Sequence, residues 1–154
     1  MEKNNIHFEC DIMTNEDLKY IYNHITLFDE FWSSSTLEDD YKSPLSTYFI
    51  VRDKDHNNLI VGFAGIKIIT NFAEVMNIVV KKDKRNIGIG SFLLEYVIDY
   101  CKKQNWNNLN LEVNKNNKPA VRIYKKYQFE TVGIRKKYYD NKDDALLMTL
   151  FFKR

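Results

Sequence analysis

The stretch that decides the fold of this chain is Met76-Asn77-Ile78-Val79-Val80-Lys81-Lys82-Asp83-Lys84-Arg85-Asn86-Ile87-Gly88-Ile89-Gly90-Ser91. An apolar run typical of a strand passes into a basic loop, two alternate glycines follow, and an amphipathic helix begins at once. Glycines allow a backbone in which successive N–H groups converge, and a helix N-terminus adds unpaired donors and about half a positive charge. The stretch therefore predicts a phosphate-binding loop.

Three kinds of phosphate-binding loop compete for this stretch. A nucleotide P-loop needs Gly-Lys-Ser/Thr at the end of the turn, and the sequence lacks it. A dinucleotide-binding loop needs a third glycine where Leu93 stands and a ribose-binding acid further on, and the sequence does not match this pattern. The third kind is Arg85-x-x-Gly88-x-Gly90, which the sequence contains. Taken alone, it also fits an ordinary glycine-containing turn before a helix.

Sequence periodicity predicts a mixed α/β protein around this loop. Runs of period two predict strands, and runs with a period near four predict helices. The predicted strands cover residues 6–12, 48–52, 59–69, 73–80, 109–113, 129–138 and 145–152. Helices are expected from Thr14, after Phe31-Trp32-Ser33, from about Gly90, and from about Asn117 to Tyr127. This order is not a regular βαβ alternation, so we expect a central twisted mixed sheet of about seven strands flanked by about four helices.

Two of the helix starts carry local signals. Thr14, with Asp17 three residues later, matches a capping box. Asn117, with Pro119 in the first turn, matches a second helix N-terminus. The first helix is expected to bury an apolar face that consists of Leu18, Ile21, Tyr22 and Ile25.

Length and composition favour one soluble domain over residues 1–154. Of the 154 residues, 44% are hydrophobic and 29% are charged, as in ordinary globular proteins. The sequence has no apolar run near the roughly 20 residues that span a bilayer, and its start lacks the order of a signal peptide. We therefore expect a cytoplasmic protein with no membrane partner. Cys10 and Cys101 match no metal spacing and the three histidines form no ligand pair, so buried thiols and no metal are expected.

The net charge of +2 hides an asymmetry along the chain. Residues 1–60 carry 5 Lys/Arg against 12 Asp/Glu, whereas residues 61–154 carry 18 against 9. The basic part suits a polyanionic ligand, although a solvated surface gives the same composition. Nucleic acid is the rival polyanion, but the sequence has no nucleic-acid-binding signature, so we expect no direct binding of nucleic acid.

Further motifs extend the pattern over most of the chain. Arg85-x-x-Gly88-x-Gly90 resembles the pyrophosphate-binding motif of the GNAT acetyltransferases. Phe31-Trp32-Ser33 is similar to an early Pro-Trp-Ser element of the RimI branch, with Phe31 in the place of the proline. Five more segments are similar to the same branch in order and spacing, namely 74–80, 111–113, 117–124, 133–139 and 144–148. The resemblance implies the GNAT fold and an acetyl-CoA-dependent acyltransferase that acetylates protein N-termini.

The resemblance also implies where acetyl-CoA binds. Backbone groups at the end of the strand would face its acetyl and pantetheine portion, and the glycine loop would wrap its pyrophosphate. Acetyl-CoA would be a co-substrate that leaves as CoA. The implied binding residues are Ile78, Val79, Val80, Arg85, Asn86, Ile87, Gly88, Ile89, Gly90, Ser91, Asn117 and Tyr124.

By the same resemblance, Glu112 is the catalytic base and Tyr124 the catalytic acid. Acetyl transfer to an amine needs a neutral nucleophile, a stabilised oxyanion and a proton for the leaving thiolate. Glu112 lies among apolar residues of a predicted inner strand, which would raise the pKa of its carboxyl, and a phenol can donate a proton near pH 7. A strand-edge carboxylate paired with a lysine and a packed core tyrosine are the alternatives. We expect direct transfer in a ternary complex.

Amine chemistry favours an N-terminal acceptor. An α-amino group has a pKa of about 7.7–8.0 and a lysine about 10.4, so near pH 7 roughly a tenth of the first and less than about a thousandth of the second is neutral. The resemblance implies the N-terminal alanine of a small-subunit ribosomal protein as the acceptor, and a monomer or weak dimer is expected. A small amine or amino acid acceptor and a non-catalytic CoA-binding module stay open as alternatives. The implied substrate-binding residues are Trp32, Glu74, Asn77, Tyr138 and Tyr139.

Two positions depart from the family pattern. Gln128 stands where the Tyr-x-x-x-Gly-Phe pattern has glycine, which bears on the turn into the next strand. Asn114 stands where members often have arginine, which bears on substrate contacts. A group of acids in the first half of the chain would either attract a basic peptide or form an ordinary solvated helix face. Its members are Asp29, Glu30, Glu38, Asp39 and Asp40.

Overall fold

The computed structural model describes residues 7–29, 32–139 and 142–153, and of Tyr139 the backbone alone. The strands in these ranges are β1 Phe8–Ile12, β2 Ser46–Asp53, β3 Leu59–Ile69, β4 Phe72–Val80, β5 Asn108–Asn114, β6 Glu130–Tyr139 and β7 Asp143–Phe151. The α-helices are α1 Asn15–Asn23, α2 Ser34–Tyr41, α3 Ile89–Lys103 and α4 Lys118–Lys126. Short 3-10 turns cover Ile25–Leu27 and Lys82–Lys84. The predicted order of elements is confirmed, and Ile6, the predicted start of the first strand, lies outside the described residues.

The seven strands belong to one mixed sheet in the order β1-β2-β3-β4-β5-β7-β6. β4 and β5 are parallel, whereas the pairs β1–β2, β2–β3, β5–β7 and β6–β7 are antiparallel. A parallel pair needs a crossover connection, and α3 supplies it between β4 and β5. The predicted mixed sheet of seven strands with four helices is thus confirmed.

The chain divides into two compact units. The first unit contains Met1–Lys67 and Met76–Tyr100, and the second contains Ile68–Val75 and Cys101–Arg154. β4 therefore gives its first residues to the second unit and its last residues to the first. The expectation of one domain over residues 1–154 stays a prediction.

In the first unit, successive side chains of β2 face opposite sides of the sheet, as the pleat of a strand requires. Phe49 packs against the rings of Tyr96 and Tyr100 of α3, with centroids 5.7 and 5.0 Å apart. Tyr48 and Ile50, its neighbours on β2, face the side that α1 and α2 cover. The buried core on that side consists of Met13, Leu18, Ile21, Phe28, Leu37, Tyr48, Ile50, Ile60, Phe63 and Val79.

The start of α1 follows the sequence signal, but its end does not. Thr14 Oγ1 accepts from the Asp17 N–H at 3.2 Å, and the Asp17 carboxylate accepts from the Thr14 N–H at 3.0 Å, so the predicted capping box is confirmed. The backbone leaves the helix at His24, which has φ −129°, and Ile25 already belongs to the 3-10 turn. Tyr22 is exposed. The predicted apolar face was therefore wrong for Tyr22, whereas Leu18 and Ile21 are buried and Ile25 packs against the same core from the 3-10 turn.

In the second unit, β5 and β7 bury one face in common. Leu109, Leu111 and Val113 of β5 are buried, and their antiparallel partners on β7 are Leu150, Met148 and Leu146. The other face of β5 carries Asn110, Glu112 and Asn114, because side chains alternate along a strand. One face of β5 is thus core, and the other is available for polar chemistry.

Candidate active site

The predicted phosphate loop lies between β4 and α3 in the first unit. Asn86, Ile87 and Gly88 are exposed, and the backbone turns through two left-handed residues, Asn86 at φ 66° and Gly88 at φ 93°. The Phe92 N–H donates to the Gly88 carbonyl at 3.0 Å and closes the first turn of the helix. Since the first N–H groups of a helix have no intrahelical acceptor, the turn presents backbone donors and the positive helix end together.

The two glycines of the loop differ in what they require. The backbone at position 88 has a left-handed φ of 93°, which favours glycine, although a Cβ built there would meet no atom within 4 Å. A Cβ on Gly90 would lie 3.7 Å from the Val80 side chain, which is an ordinary contact distance. Packing in the protein therefore does not explain the glycine at position 90. Close approach of a ligand to the helix N-terminus stays a prediction for this position.

Arg85 anchors the loop. Its Nε donates to the Val80 carbonyl at 3.0 Å, and its NH2 group donates to the Phe28 carbonyl at 2.8 Å. These bonds tie the start of the loop to the end of β4 and to the segment after α1. The direct contact between Arg85 and a phosphate stays a prediction, while its hold on the backbone of the loop is observed.

A polar network crosses the α1/α2 side of the first unit, and the sequence did not predict it. The Tyr48 hydroxyl donates to Asp40 Oδ2 and accepts from Asn77 Nδ2 at 3.1 Å. Lys67 Nζ lies 2.8 Å from Asp40 Oδ1. Burial, followed by the hydrogen bond to Asp40, raises the pKa of Tyr48, so its hydroxyl keeps its proton. The one sequence feature that could have indicated this network was Lys67, a charged residue near the end of the apolar run Leu59–Ile69.

Glu112 lies on the polar face of β5 in the second unit. Its Oε1 forms an ion pair with Arg135, with 3.0 Å between Oε1 and the guanidinium nitrogen, and its side chain is 30% exposed. The guanidinium of Arg135 also lies over the Tyr138 ring, 5.0 Å from the centroid. The apolar surroundings expected for Glu112 were wrong, because neighbouring residues of the strand face the opposite side. The structure thus brings Glu112 and Tyr138 together through Arg135, a residue that the sequence did not single out.

Asn117 and Tyr124 lie at the two ends of α4 in the second unit. Asn117 Oδ1 accepts from the Ala120 N–H at 3.3 Å, so the predicted helix cap is confirmed, and proline is found in the first turn. Tyr124 is half-buried and packs edge-to-face on Phe129, with centroids 5.7 Å apart. The roles of Asn117 and Tyr124 toward acetyl-CoA stay predictions.

Both departures from the family pattern have a structural account. Asn114 Nδ2 donates to Asp143 Oδ2 at 3.0 Å, and Asn116 donates to the other oxygen of Asp143 at 2.9 Å, so these side chains join the end of β5 to the start of β7. Gln128 adopts the left-handed conformation typical of glycine, with φ 74°. The turn that the family builds with glycine is therefore kept.

The other predicted substrate-binding residues lie in both units. In the first unit, Trp32 packs against the core on the α1/α2 side. In the second, Glu74 pairs with Asn110 in the parallel ladder of β4 and β5. The side chain of Tyr139 lies outside the described residues, as do Glu30 and Phe31.

The proposed group of surface acids was wrong in one member. Asp40 is buried in the network with Tyr48 and Lys67, and its side chain is only 10% exposed. Glu38 lies 3.7 Å from Lys42 on the same helix, and Asp39 is exposed. Attraction of a basic peptide by the remaining acids stays a prediction.

Cys10 and Cys101 are buried and not joined in a disulfide, as predicted. Burial raises the pKa of Cys101 to about 12, so this thiol stays protonated and inert near neutral pH. In residues 7–29, 32–139 and 142–153, no three or more His, Cys, Asp or Glu side chains are grouped so that they could hold a metal ion. Over the same ranges, none of the helices has the length and apolar character that crossing a membrane demands.

Comparison with known proteins identifies the family. The model of the Acetyltransferase (GNAT) family matches residues 15–129. A Bacillus subtilis (strain 168) protein, provisionally named ribosomal protein bS18-alanine N-acetyltransferase, is 32% identical over 139 residues, which are 88% of this chain and 90% of the relative. The ribosomal protein bS18-alanine N-acetyltransferase of Escherichia coli (strain K12) is 34% identical over 97 residues, 61% of this chain and 66% of its own.

Solved structures agree with the family. The crystal structure of the ribosomal-protein-S18-alanine N-acetyltransferase from Escherichia coli has a TM-score of 0.84 at 26% identity, covering 96% of this chain and 95% of that one. The spermidine/spermine N-acetyltransferase SpeG from Vibrio cholerae shares the fold, with a TM-score of 0.76 at 20% identity over 94% of this chain and 92% of that one. Since the family model covers most of its length and the mixed sheet is that of these enzymes, the chain belongs to the GNAT family of acetyltransferases.

Proposed function

We propose that this protein transfers the acetyl group of acetyl-CoA to the N-terminal α-amino group of a protein, directly in a ternary complex. The first candidate acceptor is the N-terminal alanine of a small-subunit ribosomal protein. The similarity over 88% of the chain to a relative named for that reaction supports this acceptor. We place the reaction in the cytoplasm, because ribosomal proteins are made there.

The turn before α3 is the observation that supports acetyl-CoA as the co-substrate. Left-handed residues at Asn86 and Gly88 aim the backbone at the helix N-terminus, and Gly90 leaves room for a ligand to approach. Backbone N–H groups in such a turn bind a diphosphate by charge-assisted hydrogen bonds and by the helix dipole. Acetyl-CoA bound there supplies an activated acetyl group as its thioester. Ile78–Val80 would contact its pantetheine portion.

The second unit supplies the proposed acid and base. Glu112 accepts the proton that the acceptor amine loses, and the Arg135 guanidinium holds the carboxylate in place at 3.0 Å. Tyr124 Oη gives a proton to the leaving thiolate. Tyr138 would flank the first residues of the peptide, with its ring held by the same Arg135. An α-amino acceptor suits this arrangement because about a tenth of it is already neutral near pH 7.

Incubation with acetyl-CoA and a peptide that starts with alanine tests the proposal. We expect a mass increase of one acetyl group, and none when the α-amine of the peptide is blocked. Polyamines, free amino acids and aminoglycosides serve as rival acceptors in parallel reactions. Turnover of one of these amines without turnover of the peptide would replace the proposed acceptor by a small molecule. Binding of acetyl-CoA without any turnover would indicate a non-catalytic module.

A further inference from the structure

One polar atom of the first unit is buried and unsatisfied. Asn77 Oδ1 has almost no exposed surface, and none of the described residues donates a hydrogen bond to it. The other end of the same amide is bonded, since Nδ2 donates to the Tyr48 hydroxyl at 3.1 Å. Buried polar atoms are normally paired, because an unpaired one loses its hydration without compensation. Asn77 Oδ1 therefore has an acceptor position that no described residue fills and that a ligand N–H could fill.

The network around Tyr48 fixes which way the amide of Asn77 points. The Asp40 carboxylate accepts from Tyr48 through Oδ2 and from Ser46 through Oδ1, and it forms an ion pair with Lys67, so it acts as an acceptor. The single proton of the Tyr48 hydroxyl is thus committed to Asp40. If the amide were flipped, Asn77 Oδ1 would face a hydroxyl oxygen that has no proton left to give. The network consequently keeps Oδ1, and not Nδ2, as the end of the amide without a partner.

The position of Asn77 indicates which ligand supplies the donor. Val80 faces α3, because a Cβ on Gly90 would lie 3.7 Å from its side chain. Val79 belongs to the core on the α1/α2 side, and Asn77, two residues before it, shares that face of β4. The diphosphate loop lies at the N-terminus of α3, which covers the other face. The donor to Asn77 therefore arrives on the side opposite the helix that holds the diphosphate.

We infer that Asn77 Oδ1 accepts a hydrogen bond from an N–H of the acceptor substrate, and that Asp40, Tyr48 and Lys67 position the amide for it. This rests on the proposed transfer to an amine. A neutral amide oxygen suits the task, because it binds an N–H without favouring the protonated ammonium as a carboxylate would. The N–H belongs either to the amine itself or to the first peptide amide.

Steady-state kinetics of Asn77→Leu test the inference. We expect KM for the alanine peptide to rise about 5- to 10-fold, as for the loss of one net hydrogen bond, with the acetyl-CoA dissociation constant unchanged within about twofold. The melting temperature should change little, because removal of an unsatisfied buried oxygen offsets loss of the hydrogen bond to Tyr48. Tyr48→Phe, which frees the amide to rotate, should raise KM about 2- to 5-fold.

Asn110→Leu is the matched control. Asn110 Oδ1 on β5 accepts from Asn108 at 2.7 Å and from Thr149 at 2.9 Å, so its loss should lower the melting temperature and leave KM unchanged. A lower melting temperature of Asn77→Leu with unchanged KM would assign Asn77 a structural role and overturn the inference. Weaker acetyl-CoA binding with unchanged KM would overturn it too, since the donor would then belong to the co-substrate.

A peptide methylated on its first amide nitrogen separates the two sources of the N–H. If the peptide amide is the donor, Asn77→Leu should have no further effect on KM for the methylated peptide. If the amine is the donor, the effect should be the same with both peptides. Either result supports the inference. If the wild type acetylates a small amine and no peptide, the proposed acceptor fails, and the same variants are measured with that amine.

Discussion

Two helix ends in this protein use left-handed residues for opposite purposes. Before α3, Asn86 and Gly88 turn the chain into the helix N-terminus, where we propose that a diphosphate binds. After α4, Gln128 turns the chain so that the backbone satisfies itself: its N–H donates to Lys125 at 3.0 Å and the Phe129 N–H donates to Tyr124 at 3.0 Å. Glycine is thus replaceable where a turn serves only the fold, whereas the proposed diphosphate site makes a separate demand for a residue without a side chain.

The variant with the largest expected effect tests the catalysis proposed for α4 independently of the acetyl-CoA binding proposed for α3. We expect Tyr124→Phe to lower kcat by about 100- to 10,000-fold, because a general acid contributes on that order. The acetyl-CoA dissociation constant should stay within about twofold, as measured by calorimetric titration. Tyr127→Phe on the same helix is the control and should keep its kcat. Full activity of Tyr124→Phe would assign the acid to another residue.

Gly90→Glu should weaken acetyl-CoA binding at the N-terminus of α3 without destabilising the fold. A side chain fits there next to Val80, and a carboxylate in the first turn is favourable to a helix, so the melting temperature should not fall. Acetyl-CoA binding should weaken about 100-fold or more, because a negative charge would occupy the place of the diphosphate and cost two or more charge-assisted hydrogen bonds. Gly90→Ala is the uncharged control, with a smaller loss. Unchanged titration of Gly90→Glu with acetyl-CoA would contradict the proposed diphosphate site.

The smallest effect concerns the turn after α4. Gln128→Gly should stabilise the protein by about 1 kcal/mol, because a left-handed φ of 74° strains any residue with a Cβ. Denaturant unfolding measures this change, and acetyl-CoA binding should be unaffected. Equal or lower stability of Gln128→Gly would mean that the side chain of Gln128 offsets the strain.

Much of the fold could be predicted because its signals are local. The capping box of Thr14 and Asp17, the cap at Asn117 and the glycines at 88 and 90 act on neighbours a few residues away. The alternation of side chains along β5 is also local, yet its consequence was missed. Glu112 was expected among apolar neighbours, but those neighbours face the other side of the sheet.

By itself, the sequence determined the order of strands and helices, the loop before α3 and the family resemblance, because periodicity, caps and glycine conformations depend on short segments. Only the tertiary structure decided which polar side chains meet. Tyr48 reaches Asn77 across 29 positions, and Arg135 reaches Glu112 from another strand. Such contacts depend on strand register and on burial, and both are set when distant segments pack together. The unsatisfied oxygen of Asn77 became visible for that reason only after the chain was folded.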